Sequence, residues 1–254
     1  MAGLTLQTSS LTLTLTLAVA ALTGTAQATT LYNPALGTLP TAQGWTPIAG
    51  GNPAAQSLVG GRLRTDTQTD PGAVQFVDYL SPPSGATLDT VAGFTLSFGL
   101  QVLSEAHQSP NRAGFSVLVQ GLDETKALEL SFWGNEVWAL GYTAGGADSG
   151  YVHGNGAVLD TSSSFHQYAL TVQNNAYTLR VDGLAVLSGT MIDYPVQGAT
   201  TAAYGLSNAL FFGDDTSRGQ SITDLGLVSI TAVPEPASAW LWLLGAGGLA
   251  LRRR

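Results

Sequence analysis

Short runs of β-branched and aromatic residues recur through the middle of the chain, each bounded by Gly, Asn, Asp or Pro. The pattern predicts strands at 72–79, 94–103, 114–120, 127–133, 136–142, 167–173, 177–181, 184–188, 209–212 and 222–230. Successive side chains on a strand point to opposite faces, so apolar residues at every second position mark a buried face. Ten such runs, with almost no helical periodicity between them, predict an all-β, two-sheet sandwich. Asn174-Asn175 and Asp182-Gly183 each separate two runs by two residues that tolerate positive φ, as a type I′ hairpin requires. Nothing resembles an interdomain linker or an internal repeat.

The two ends break this alternation. Residues 11–22, LTLTLTLAVAAL, form a short apolar run, and Ala26-Gln27-Ala28 follows as an A-x-A cleavage site. Together they predict a signal peptide over 1–28 and a mature start near Thr29. The charged part of a signal is reduced to the Met1 amino group, since neither Lys nor Arg precedes the run. At the other end, 240–251 is a run of twelve residues followed by Arg252, Arg253 and Arg254. As a helix it would be roughly 18 Å long, against about 30 Å of membrane hydrocarbon. Pro234 and Pro236 oppose extending it backwards. Arginines resist burial in lipid and stay on the cytoplasmic side. The tail is thus expected to be a short apolar helix at the membrane, leaving 29–232 as one β-sandwich domain.

Charge narrows the partners. Residues 29–233 hold sixteen acidic and six basic residues, a net charge of −10. Such a surface repels phosphate backbones and anionic lipid, which excludes nucleic acid as a partner. The absence of cysteine excludes disulfides, thiol catalysis and zinc–thiolate sites. His107, His153 and His166 are scattered, without the paired spacing of a metal site. Asp214-Asp215 offers oxygen ligands of the kind calcium takes, although a solvated turn is the simpler reading. No other cofactor is implied.

Strand parity locates a candidate binding face. On 127–133, Leu130 and Phe132 share one face, and Glu129, Ser131 and Trp133 the other. On 136–140, Val137 and Ala139 oppose Glu136, Trp138 and Leu140. On 112–119, Ala113, Phe115, Val117 and Val119 are expected in the core, opposite Arg112, Gly114 and Ser116. The outward faces then combine Arg112, Glu129, Trp133, Glu136 and Trp138. Flat aromatic rings beside carboxylates and a guanidinium suit sugars, whose C–H faces stack while their hydroxyls form hydrogen bonds. The same residues also read as structure: a tryptophan pair packed across strands, and an ion pair between Arg112 and either glutamate.

Two resemblances extend these readings. Val233-Pro234-Glu235-Pro236, an apolar stretch with Gly245, Gly247 and Gly248, and the final arginines closely resemble the PEP-CTERM sorting signal of exported Gram-negative proteins. It covers 233–254 and implies processing by a membrane-embedded exosortase, with the tail held in the inner membrane during sorting. The stretch FHQYALTVQNNAYTLRVDGLAVLSG, at 165–189, resembles a hairpin of the concanavalin A-like, or laminin G-like, jelly roll. FFGDD at 211–215 and the run 222–230 are similar to that fold's last strand pair. With LYNPALGTLP at 31–40, AGFSVLVQG at 113–121 and ALELSFWGNEVWAL at 127–140, the body resembles choice-of-anchor surface proteins.

Some jelly rolls of this kind are glycoside hydrolases with an E-x-D-x-x-E strand motif. Retaining hydrolysis needs two carboxylates about 5–5.5 Å apart. No such triplet occurs: Asp123 and Glu124 are adjacent, and neither Glu129 nor Glu136 has a carboxylate two or four residues away on its strand. No G-x-S-x-G elbow is present either. The expectation is therefore a noncatalytic module, not an enzyme, at the cell surface or in the extracellular matrix, binding polysaccharide or serving adhesion. A structural envelope or biofilm protein without a ligand site is the alternative, and a glycan-active hydrolase a more distant one.

Overall fold

The computed structural model describes residues 27–48, 56–68, 77–81, 87–197, 199–214 and 216–233. Ala26, Asp215, the apolar run at 11–22 and the whole Pro-Glu-Pro, apolar and arginine tail lie outside the described residues. So do the expected signal peptide, except Gln27 and Ala28, and the expected C-terminal helix. Ala28 is exposed and immediately precedes the first strand.

Fifteen strands are described: β1 (Thr29–Tyr32), β2 (Thr46–Pro47), β3 (Gln56–Val59), β4 (Arg62–Asp66), β5 (Val77–Leu80), β6 (Phe94–His107), β7 (Ser116–Gln120), β8 (Ala127–Trp133), β9 (Glu136–Tyr142), β10 (Tyr151–Val158), β11 (His166–Gln173), β12 (Ala176–Val181), β13 (Leu184–Thr190), β14 (Ala209–Asp214) and β15 (Gly219–Ala232). They form two antiparallel sheets, ordered β13-β12-β11-β6-β15-β4-β3, with β1 also on β15, and β10-β9-β8-β7-β14-β5-β2. Among the described residues no helix is long and apolar enough to cross a membrane.

Alternation drives the sandwich. Leu96, Phe98, Leu100 and Val102 of β6, with Tyr168, Leu170 and Val172 of β11, point inward from the first sheet. Val117, Val119, Leu128, Leu130, Phe132, Val137 and Phe212 meet them from the second. Phe132 joins the layers, edge-on to both Phe98 (6.1 Å between centroids) and Tyr168 (5.4 Å). Such edge-to-face pairs add to the hydrophobic gain of burial. Both predicted hairpin turns form: Asn174 and Asn175 have φ of 51° and 59°, and Asp182 and Gly183 have 49° and 86°.

Two expectations are corrected. β7 begins at Ser116, so Arg112 and Ala113 precede the strand, and Ala113 packs on the outer side of the second sheet instead of in the core. The cause is a close crossing at Gly114. A Cβ there would lie 2.2 Å from the Gln220 carbonyl carbon, and Ser221 Oγ donates to the Gly114 carbonyl at 2.6 Å. The chain crosses β15 here before it enters the sheet. β10, and the β3–β4 hairpin turning at Gly60-Gly61, were not among the predicted strands.

Candidate functional site

The outer face of the second sheet carries its own partly apolar cluster, and a pocket opens within it. The floor comes from Glu129 and Ser131 on β8 and Leu140 on β9. Four other stretches of chain form the walls: 111–113, 149–151, 201–204 and 216–217. The volume is about 250 Å³. Small-molecule sites run roughly 300–1,000 Å³, so the pocket is small, and its lining mixes polar and apolar side chains.

The floor exists because two neighbouring strands part. The β8–β9 pairing runs from Trp133↔Glu136 to Leu130↔Ala139 and stops. The next pair in register is Glu129 and Leu140, the position for a hydrogen-bonded pair in an antiparallel ladder. The Tyr194 hydroxyl stands there instead. It donates to the Leu140 carbonyl at 2.6 Å and accepts from the Glu129 amide at 3.4 Å. A hydroxyl can donate and accept at once, so it satisfies both buried backbone groups while the strands diverge. Burial pushes the Tyr194 phenol well above its usual pKa, which keeps it a donor.

Tyrosines finish this side of the pocket. Tyr204 stacks on Tyr194 at 4.8 Å and on Tyr151 at 5.3 Å, and its hydroxyl donates to Glu129 Oε2. Glu129 is only 6 % exposed, so its carboxylate is held beneath the surface by this bond. The Tyr151 hydroxyl donates to the Pro195 carbonyl, tying β10 to the same segment.

The opposite wall hangs on Asp148. Its Oδ2 accepts from Ser109 Oγ at 2.6 Å and Asn111 Nδ2 at 2.9 Å, and its Oδ1 pairs with Arg218. Those hydrogen bonds, with the nearby Arg112 and Arg218 charges, hold its carboxyl below the usual range. Asp148, Ser149 and Gly150 have φ of 52°, 62° and 89°. Two consecutive non-glycine residues in the left-handed region carry strain, sustained here by the bonds converging on Asp148.

The sequence-derived residues fall in three places. Arg112 and Glu129 both line the pocket. The Arg112 guanidinium donates to the carbonyls of Asn111, Tyr151 and Asp148, so it braces the wall. Trp133 and Glu136 sit beyond the pocket, at the hairpin end of β8 and β9. Trp133 Nε1 donates to the Arg112 carbonyl at 2.8 Å, and its ring stacks on His107 at 4.2 Å. Glu136 lies 3.3 Å from His153 Nε2. Trp138 is 0 % exposed, with its ring stacked against His153 at 4.3 Å and set edge-on to Trp133. The tryptophans are thus cross-strand packing partners, and Trp138 presents no open face to a sugar.

Of the calcium candidates, Asp214 is buried at the end of β14 and accepts from the Thr216 amide at 3.1 Å. Among the described residues no cluster of three or more His, Asp or Glu could hold a metal. His166 lies between Ser164 Oγ (3.1 Å from Nε2) and Asp182 Oδ2 (2.6 Å from Nδ1), an order reminiscent of a nucleophile relay. However, the Asp160 carbonyl lies 2.9 Å from the same Nε2. Ser164 Oγ and that carbonyl therefore share one ring nitrogen, and His166 and its partners lie outside the pocket.

Sequence reasoning did not find Tyr151, Tyr194, Tyr204, Ser149 or Thr201. The outward parity of 112–119, β8 and β9 led into the pocket, through Arg112, Glu129 and Leu140. The tyrosines come from a glycine-rich strand and from a non-strand segment, where alternation carries no information.

Residues 232–254 match the PEP-CTERM protein-sorting motif. That motif marks export and sorting to the cell surface or extracellular space. No curated protein matches the chain by sequence. Among solved structures, the chain is similar to a carbohydrate esterase from the Shiga toxin-encoding bacteriophage phi24B, with 14 % identity, 81 % of this chain and 99 % of that one covered, and a TM-score of 0.54. It is also similar to a sialidase, at 14 % identity over 84 % of this chain and 19 % of that one, with a TM-score of 0.50. A Bacillus licheniformis β-glucanase aligns at 16 % identity over 83 % and 100 %, with a TM-score of 0.47. At these identities the likeness is one of fold: the body is a concanavalin-like jelly-roll sandwich.

Proposed function

We propose that the sandwich is a noncatalytic polysaccharide-binding module of an exported, exosortase-sorted surface or matrix protein, with its site in the pocket over Glu129. The observation that carries this reading is the Glu129 carboxylate, held at the bottom of a pocket beside stacked tyrosines. Carboxylate oxygens accept from sugar hydroxyls, and tyrosine rings supply the apolar face a sugar needs. Among the described residues, Glu129 is the single carboxylate lining the pocket. Two-carboxylate hydrolysis requires a second carboxylate facing the same site, and the described lining offers Glu129 alone, which favours binding over cleavage.

The sorting motif supports processing by an exosortase and a transient membrane hold for the tail. The domain's net negative charge of −10 over 29–233 fits a neutral or cation-bearing polymer better than a polyanion. The test is a glycan array probed with the full chain and with Glu129→Gln. Saturable binding lost in a folded E129Q protein supports the module. Equal binding by both proteins sinks the proposed site, and no binding by either sinks the proposed function.

A further inference from the structure

We infer that the pocket receives a single sugar residue, at a chain end or as a branch, and not the interior of a polysaccharide chain. The inference rests on the glycan-binding reading and adds the form of its ligand.

The first ground is a set of hydrogen bonds that ties the pocket's walls to the 148 turn and to the floor. Stretch 109–112 is fixed to the 148 turn by Ser109, Asn111 and Arg112. The 148 turn is fixed to the stretch before β15 by Arg218 and Asp148. It is also fixed to the 193–205 segment, because Gln197 Nε2 donates to the Ser149 carbonyl at 2.9 Å. That segment is in turn fixed to the floor by Tyr204 on Glu129 and Tyr194 on Leu140. Each wall is thus bonded to another wall or to the floor. Gln108 N–H donates to the Arg218 carbonyl at 2.8 Å, so the 108–112, 148 and 218 stretches are bonded to one another. A chain interior needs an entrance and an exit on opposite sides, and walls joined on either side of the 148 turn leave one junction, between 201–204 and 216–217.

The second ground is the material on the rest of the outer face. Towards one end of β8, Ala127 pairs with Ile192 through two backbone hydrogen bonds of 2.8 and 3.0 Å, and Tyr194 is buried over it. Towards the other end, Trp133, Trp138, His153 and His107 fill the face with stacked rings. Surface that would lie under neighbouring sugars of a long chain is already occupied by side chains. The volume of about 250 Å³ agrees, since it falls below the range of sites that engulf larger ligands.

The deciding experiment titrates the full chain with linear gluco-, manno-, galacto- and uronate oligosaccharides of one to six units, one series at a time. For the series that binds, affinity should reach its plateau at one or two units and stay within about twofold up to six. Affinity climbing tenfold or more between two and six units would overturn the inference and leave glycan binding standing, with the chain laid along a groove. Binding by none of the series, from a folded protein, would overturn the glycan-binding reading and this inference with it.

Discussion

Glu129 and Leu140 face each other across β8 and β9 without bonding to each other, because the Tyr194 hydroxyl stands between them. A side chain from outside the sheet thereby holds the central ladder open, and the opened position is the pocket floor. Removing that hydroxyl leaves two buried backbone groups short of a partner. Tyr194→Phe should cost about 1–3 kcal/mol of stability, the usual penalty for an unsatisfied buried group. Denaturant unfolding monitored by tryptophan fluorescence measures it. A loss below a few tenths of a kcal/mol would show that the ladder closes without the hydroxyl, and that the wedge does not hold the floor open.

Trp138 tests whether burial or ligand contact explains the tryptophan pair. Trp138→Ala should cost about 3–5 kcal/mol, as for other large-to-small changes at fully buried aromatic positions. Trp138→Phe should keep the fold, since Trp138 Nε1 has no hydrogen-bond partner among the described residues. It should leave glycan affinity within about twofold. A folded Phe variant that binds tenfold more weakly would mean that this ring contacts the sugar, contrary to its position under His153.

Asp148 gives the pocket's walls an acid limit. Its carboxyl is held below its ordinary value of 3.8, chiefly by the Ser109 and Asn111 hydrogen bonds. A depressed native pKa contributes stability that is complete above the ordinary value and lost as pH falls through the native one. Wild-type thermal midpoints should therefore fall more steeply below about pH 4 than those of Asp148→Asn, with the gap between the two narrowing as pH drops. Parallel curves from pH 6 to pH 3 would remove Asp148 from the account of acid sensitivity.

The architecture was legible where alternation and turn chemistry agreed. The runs at 127–133 and 136–142 are strands with the predicted bounds, and the Asn174-Asn175 and Asp182-Gly183 turns have the positive φ their residues suggested. The β3–β4 hairpin was not predicted, although Gly60-Gly61, with φ of 57° and 74°, separates its two short strands. β10 was not, because YVHGNGAV interrupts its apolar pattern with glycines, and Gly154 fits a close approach to the Ala139 carbonyl that a Cβ would block at 2.5 Å. The candidate site was half legible. Parity placed Glu129 on the right face, but the tyrosines arrive from 151, 194 and 204, which only tertiary folding brings together. Parity also cannot distinguish an exposed outer face from one covered by loops, which is why the sequence leaves Trp138 as either a sugar platform or a packing partner, and the structure makes it a packed ring.

The most direct test of the central claim maps where a bound glycan touches the protein. Hydrogen-exchange footprinting of the full chain, with and without the oligosaccharide it binds best, should show protection at 111–113, 129–131, 149–151 and 201–204, the floor and walls of the pocket. Protection confined to the outer face of the other sheet, on β11, β12 and β13, with the pocket unchanged, would contradict the assignment.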